Sequence, residues 1–168
     1  MADLPNNEDI EVQEIDDLGD DVFGSAFAAF LFFDFNSTEL KVAHKEFLST
    51  KATAFLMNPI GFAEMYAYTD TKGSDQVNAQ FAAARLNAVQ NFLFQQGIPA
   101  DKAFDLFNHK SLGEKFAREH DPDNTEDRNF RVVAIGLWND PFKVRFDRFS
   151  QFKSFAFGRT HESEILEF

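Results

Sequence analysis

Cysteine is absent from the 168-residue chain. That excludes disulfides, thiol catalysis, thiolate metal sites and a lipidated N-terminal cysteine. No segment reaches the ~18–20 consecutive apolar residues that a membrane-spanning helix needs. No positively charged stretch precedes an apolar run near the start, so no secretory signal is read there. Basic residues are the minority, 16 Lys and Arg against 28 Asp and Glu. Phosphate contacts need clustered Lys and Arg, so a nucleic-acid partner is not expected. Neither G-x-S-x-G nor G-x-x-x-x-G-K-[ST] occurs, which removes the usual nucleophile elbow and phosphate loop. His44, His109, His120 and His161 never pair at i, i+4. No zinc site follows from them, and no cofactor is expected. The polar loop Arg118–Arg128 lacks the glycine and ligand spacing of a calcium loop. Nothing places two carboxylates in one cleft, so the chain reads as no enzyme.

Phenylalanine fills much of what remains: 23 Phe stand against two Tyr and one Trp. Phe offers a large apolar area without a polar handle. The excess suits an aromatic core, or an exposed patch that docks a partner. Charge is uneven along the chain. Met1–Asp21 holds nine acids and no Lys or Arg, leaving only −3 of the net −12 to the rest. Residues 1–21 therefore read as an acidic disordered tail, 22–140 as the domain, and 141–168 as an aromatic-rich extension.

Ala26–Phe35 is a continuous apolar run and reads as a buried strand. Asn36, Ser37 and Thr38 can cap a helix over Glu39–Met57, with Leu40, Ala43, Phe47 and Ala54 as its apolar stripe. Asn58-Pro59 ends it. Ile60–Tyr68 reads as a second strand and Thr69–Gly73 as a loop. Ser74 caps a second helix over Asp75–Gln96, whose stripe is Val77, Phe81, Ala84, Ala88 and Phe92. Gly97 stops it. Lys102–Asn108 is a third strand, and Phe130–Trp138 a β-branched fourth. Phe142, Val144 and Phe146 alternate with charges, which suits a sheet edge. The order β-α-β-α-β-β implies an α+β domain, a sandwich of two helices packed on one face of a mixed sheet.

Two charges stand out. Asp70 lies at the end of the second strand, where sheet-and-helix folds build sites. Asn78 and Arg85 are seven apart on the second helix and point within about 20° of each other. They lie beside the stripe, where a guanidinium stays reachable. Asp70 and Arg85 could form a plain salt bridge. They could also hold a zwitterion, its ammonium on Asp70 and its carboxylate on Arg85.

Several stretches resemble one family. FFDFNSTEL (Phe32–Leu40) is similar to the opening strand and turn of the OmpA-like domain, shared by OmpA, Pal and flagellar stators. Tyr68-Thr69-Asp70 stands where that family has His-Thr-Asp. Asn78, Phe81, Arg85 and Val89 match its spaced N-x-x-L-S-x-x-R-A-x-x-V pattern. Gly97-Ile98 resembles its helix end, and Asn129-Phe130-Arg131-Val132 with Ile135 its closing strand. The resemblance implies a bacterial cell-envelope module that binds peptidoglycan without catalysis. It implies that Asp70 and Arg85 take the free end of meso-diaminopimelate in the stem peptide. Thr69 and Asn78 would shape the pocket, and Arg131 would sit on its rim. The chain departs from the pattern at Ala67, Tyr68, Phe81, Ala82, Leu86 and Phe130, mostly toward bulkier or less polar residues. A rival expectation is an interaction or assembly module that docks a protein partner, or a second copy of itself, through the acidic tail or the Phe-rich extension. Without a visible leader, leaderless export or cytoplasmic residence stays open beside the envelope.

Overall fold

A computed structural model describes residues 8–14, 27–57, 61–99, 110–113, 117, 123 and 130–138. Five strands form one mixed sheet: β1 (Ile10–Glu14), β2 (Phe27–Phe32), β3 (Phe62–Tyr68), β4 (Lys110–Gly113) and β5 (Val132–Trp138). Their spatial order is β1-β2-β5-β3-β4. Among the described residues, the β3–β4 pair is parallel and the β1–β2, β2–β5 and β3–β5 pairs are antiparallel.

Side chains alternate across each strand, and register stacks them in rows. Ile10, Leu31, Val133 and Ala67 form one row, and Val12, Ala29, Ile135 and Met65 the next. These rows belong to the main core together with both helical stretches. The first stretch runs α1 (Val42–Phe47), a π-helical turn at Leu48–Ala52, then α2 (Thr53–Met57). The second is α3 (Asp75–Gln95). The result is the expected α+β architecture, with helices on one face of a mixed sheet. The opposite face is buried as well: Phe30, Phe32, Tyr66, Tyr68, Val132 and Ala134 are each 3% exposed or less. Among the described residues, no helix is long and apolar enough to cross a membrane.

Several expectations need correction. Residues 10–14, read as part of a disordered tail, form the edge strand β1. Ile10 and Val12 are buried on one face of it, and that short apolar alternation outweighs the acids between and around them. The first helix starts at Val42, not Glu39, and Lys41 rather than Asn36, Ser37 or Thr38 is its N-cap residue. Asn36 takes φ 58 in a turn that Ser37 N–H closes onto Asp34 O at 3.1 Å. The π turn adds a residue to the winding and rotates α2 relative to α1. Ala54, expected in the stripe, is consequently exposed, while Ala52 and Leu56 are buried.

The largest correction concerns α3. Its ends match expectation: Ser74 Oγ accepts from Val77 N–H at 3.1 Å, and Gly97 follows with φ 97. Its buried face does not. Val77 is 43% exposed, and Phe81, Ala84, Ala88 and Phe92 are only half-buried. The inward face is one residue further round: Asn78, Ala82, Arg85, Leu86, Val89 and Leu93. The Ala82-Ala83-Ala84 run makes several sides of the helix acceptable to a core, so spacing alone could not choose between them. The expected strands over Lys102–Asn108 and Phe142–Phe146, and the extension 141–168, lie outside the described residues.

Candidate functional site

Strand β3 ends at Tyr68, and the chain turns through Thr69 and Asp70 toward α3. Asp70 is 3% exposed. One carboxylate oxygen accepts Lys72 N–H at 3.0 Å, which shapes the loop. The other accepts from Arg131 at 3.2 Å. Asn78 Nδ2 donates to the Asp70 carbonyl at 3.2 Å and ties the start of α3 to the strand end. Asn78 therefore shapes the loop through the backbone.

Arg85 projects from the inward face of α3 and is 2% exposed. The spacing on the helix suggested a reachable guanidinium; the rotation of the helix buries it. Its Nε donates to Ser37 O at 2.9 Å and its NH2 to Asp34 O at 3.2 Å. Both acceptors belong to the turn after β2. The guanidinium also lies 5.3 Å from the Phe33 ring centre and 5.5 Å from that of Phe81. Burial pulls its pKa down to about 10; the Asp70 charge resists that fall and Arg131 adds to it. It stays a cation at neutral pH.

Arg131 comes from the residue before β5. Its NH1 reaches Asp70 and its Nε donates to Phe33 O at 3.0 Å. Its backbone is fixed too, because Phe33 N–H donates to Arg131 O at 2.8 Å. Thr69 is 2% exposed. Two polar atoms here have no hydrogen-bond partner among the described residues: Thr69 Oγ1 and Arg85 NH1. Such orphans are expensive in a folded core.

All five residues expected from the sequence thus converge, but in a different pairing from the one expected. Asp70 pairs directly with Arg131, while Arg85 is held by main-chain carbonyls. Sequence reasoning missed Phe33, Asp34 and Ser37, whose contribution is backbone oxygen. Nothing in a residue's identity marks its carbonyl as an acceptor; the turn-forming Asn36 was the only signal. Asp70 and Arg85 are buried, and Arg131 is half-buried. Among the described residues, the site keeps one unfilled donor, Arg85 NH1, that could take an anion. Among the described residues, no group of His, Cys, Asp and Glu could hold a metal ion.

An outer membrane protein A from Serratia marcescens is 36% identical over 72 residues, covering 42% of this chain. The match takes in only 20% of that protein's length. The crystal structure of the peptidoglycan-associated lipoprotein from Burkholderia pseudomallei superposes with a TM-score of 0.52 at 20% identity, covering 64% of this chain and 88% of that one. The C-terminal domain of Helicobacter pylori MotB gives a TM-score of 0.51 at 16% identity, covering 76% and 94%. These two likenesses concern the fold. The sequence profile of the OmpA family matches residues 32–131, more than half of the chain and all five site residues, and the chain belongs to that family.

Proposed function

We propose that the domain is a non-catalytic peptidoglycan binder of the bacterial cell envelope. It takes the free end of meso-diaminopimelate, with the ligand ammonium on Asp70 and the ligand carboxylate on Arg85. The observation that carries this reading is the Arg85 guanidinium, buried beside the Asp70 carboxylate with its NH1 without a hydrogen-bond partner among the described residues. A zwitterion offers an anion to the Arg85 donor and a cation to the Asp70 carboxylate. The Thr69 hydroxyl, also unpartnered, is a further polar contact for it. The family membership and the Burkholderia protein named for its association with peptidoglycan support the same reading. Charge-assisted contacts of ~1.5–3 kcal/mol each give modest affinity for a single stem peptide. A polymeric wall adds avidity for an oligomeric or anchored binder.

Co-sedimentation with diaminopimelate-type peptidoglycan tests it. The parent protein is expected in the pellet, and Asp70→Asn and Arg85→Met in the supernatant. Asp70→Asn keeps the side-chain shape and Arg85→Met an unbranched stem, so a folded variant that still pellets would sink the site assignment. The near-complete burial of both charges favours a second reading, a docking module for a protein partner whose pocket has closed. A parent that stays in the supernatant would select it.

A further inference from the structure

Phe81 and Arg85 stand four apart on α3, so their side chains are neighbours on one flank of the helix. Helical side chains lean toward the N-terminus, which carries the Arg85 stem back over Phe81. The guanidinium carbon lies 5.5 Å from the centre of the Phe81 ring and 5.3 Å from that of Phe33, just past β2. The negative face of a ring favours a cation and offsets part of the burial that works against the Arg85 charge. The two rings differ in what else they do. Phe33 is buried in the main core and lies 5.1 Å from the His44 ring. Phe81 is half-buried and, among the described residues, is not part of that core.

The hydrogen bonds of Arg85 decide which part of it is left for a ligand. A guanidinium carries its N–H donors in one plane. Nε and NH2 share one edge, and Ser37 O and Asp34 O take that edge. The edge formed by NH1 and the second hydrogen of NH2 remains, and NH1 has no partner among the described residues. Every group on that edge is a donor. A carboxylate meets it with two acceptors, as a fork. A carboxamide meets it with one acceptor and an NH2 group, donor against donor. The two bonds to the turn leave the guanidinium free to rock about the edge they share; a ring against it stops that motion. We propose that Phe81 is a positioning residue: its ring holds the plane of the Arg85 guanidinium, so that the remaining edge takes a free carboxylate as a fork and refuses a carboxamide. Without the ring, the cation rocks and meets either group with a single hydrogen bond. A wall whose diaminopimelate ends in carboxamides is thereby passed over. This inference rests on the wall-binding reading above and adds the group that the ligand must keep free.

Two measurements on the full chain test it. Nitrogen NMR of the Arg85 side chain, identified by its loss in Arg85→Met, reads how fast the guanidinium turns about its Nε–Cζ bond. The parent is expected to turn slowly, with separate NH1 and NH2 signals, and Phe81→Leu to turn fast, with merged ones. Calorimetric titration with meso-diaminopimelate, and with its diamide as the same skeleton carrying carboxamides, reads the preference. The parent should favour the acid by roughly 10- to 100-fold. Phe81→Leu should bind the acid roughly 3- to 10-fold more weakly and the diamide almost unchanged, so the preference narrows. Phe81→Tyr keeps the ring and should keep the preference. Phe81→Met, a longer apolar chain without a ring, serves where Phe81→Leu unfolds. An equal loss for both ligands would make Phe81 plain support for the fold and overturn the proposal. A ring-free variant with the parent's slow turning or the parent's preference would overturn it too, as would a parent that binds both ligands alike. A bound acid beside a fast-turning parent guanidinium would sink this proposal alone and leave the wall-binding reading standing. A slow guanidinium with neither ligand bound would remove that reading, and this proposal with it.

Discussion

Two charge clusters share the turn after β2 and are held in opposite ways. The inner one joins Asp70, Arg85 and Arg131, with the Asp70 side chain 4% exposed. The outer one joins Lys41 to Asp9 and Asp34, the last with a side chain 71% exposed. Asp34 belongs to both: its carbonyl holds Arg85 and its carboxylate holds Lys41. The outer cluster has shorter ion pairs, yet water screens it and every charge has a partner. The inner cluster has a longer ion pair and, among the described residues, an unfilled donor on a buried cation. Short distance is therefore no guide to consequence here. Burial and charge balance decide which cluster matters for stability and which can bind.

The largest expected effect is on the inner cluster. Asp70→Ala takes the buried carboxylate away from the buried Arg85 guanidinium and breaks the ion pair to Arg131. It should cost ~3–5 kcal/mol, the usual penalty for breaking a buried pair from one side. Denaturant unfolding of parent and variant measures it. A loss below ~1 kcal/mol, the range of exposed pairs, would mean that water reaches the site, and the contrast between the clusters would collapse.

Next comes His44, which connects the outer cluster to β1. It is fully buried, accepts Lys41 N–H on Nδ1 at 3.1 Å and meets Asp9 O with Nε2 at 2.9 Å. That pattern fits the neutral ring with its proton on Nε2. Burial lowers its pKa below the ordinary 6.5, against the pull of Asp9. The unfolded chain thus binds a proton more readily than the folded one between those two values. Its contribution to stability is complete above pH 6.5 and is lost as pH falls toward the lowered value. Thermal unfolding at pH about 7.5 and about 5.5, on either side of the ordinary histidine pKa, should show the parent losing stability, with a flatter response in His44→Gln. An equal slope in both would place the acid sensitivity elsewhere.

Arg85→Met is expected to move stability little, or upward, while abolishing wall binding. It removes a desolvated cation whose NH1 has no partner among the described residues and leaves the Asp70–Arg131 ion pair in place. Replacing a buried charge by an apolar chain of similar length is often neutral or favourable. A marked loss of stability would show that the bonds to Asp34 O and Ser37 O, not ligand binding, are the reason for a buried arginine there. The pair of variants at Asp70 and Arg85 thus separates a carboxylate the fold needs from a guanidinium it merely tolerates.

The same contrasts bear on how legible the molecule is in its sequence. The succession of strands and helices was legible because apolar runs alternate with strong stops: Ser74 at one end of α3, Gly97 at the other. The candidate site residues were legible through Thr69-Asp70 and the spacing of Asn78 and Arg85. Their partners were not. Asp70 and Arg131 lie 61 positions apart, and no local pattern encodes that pairing. The inward face of α3 was misjudged because alanine fits a core and a surface equally well. Strand β1 was missed because only Ile10 and Val12 signal it within an acidic stretch. Charge dominated the reading there, whereas two fully buried side chains dominate the structure.

The smallest effect is expected from Asp34→Ala. Its carboxyl pKa is lowered chiefly by the hydrogen bond from Lys41, but the group stands in water. Lys41 keeps Asp9 when Asp34 is gone. The change in stability should be barely measurable and should shrink further in high salt. The backbone carbonyl that holds Arg85 remains, so wall binding should be unaltered. Chemical unfolding in low and high salt, with co-sedimentation alongside, checks both statements. A loss of binding in this variant would show that the carboxylate fixes the turn whose carbonyls hold Arg85. The two clusters would then be one device, with the outer ion pairs setting the geometry of the inner site.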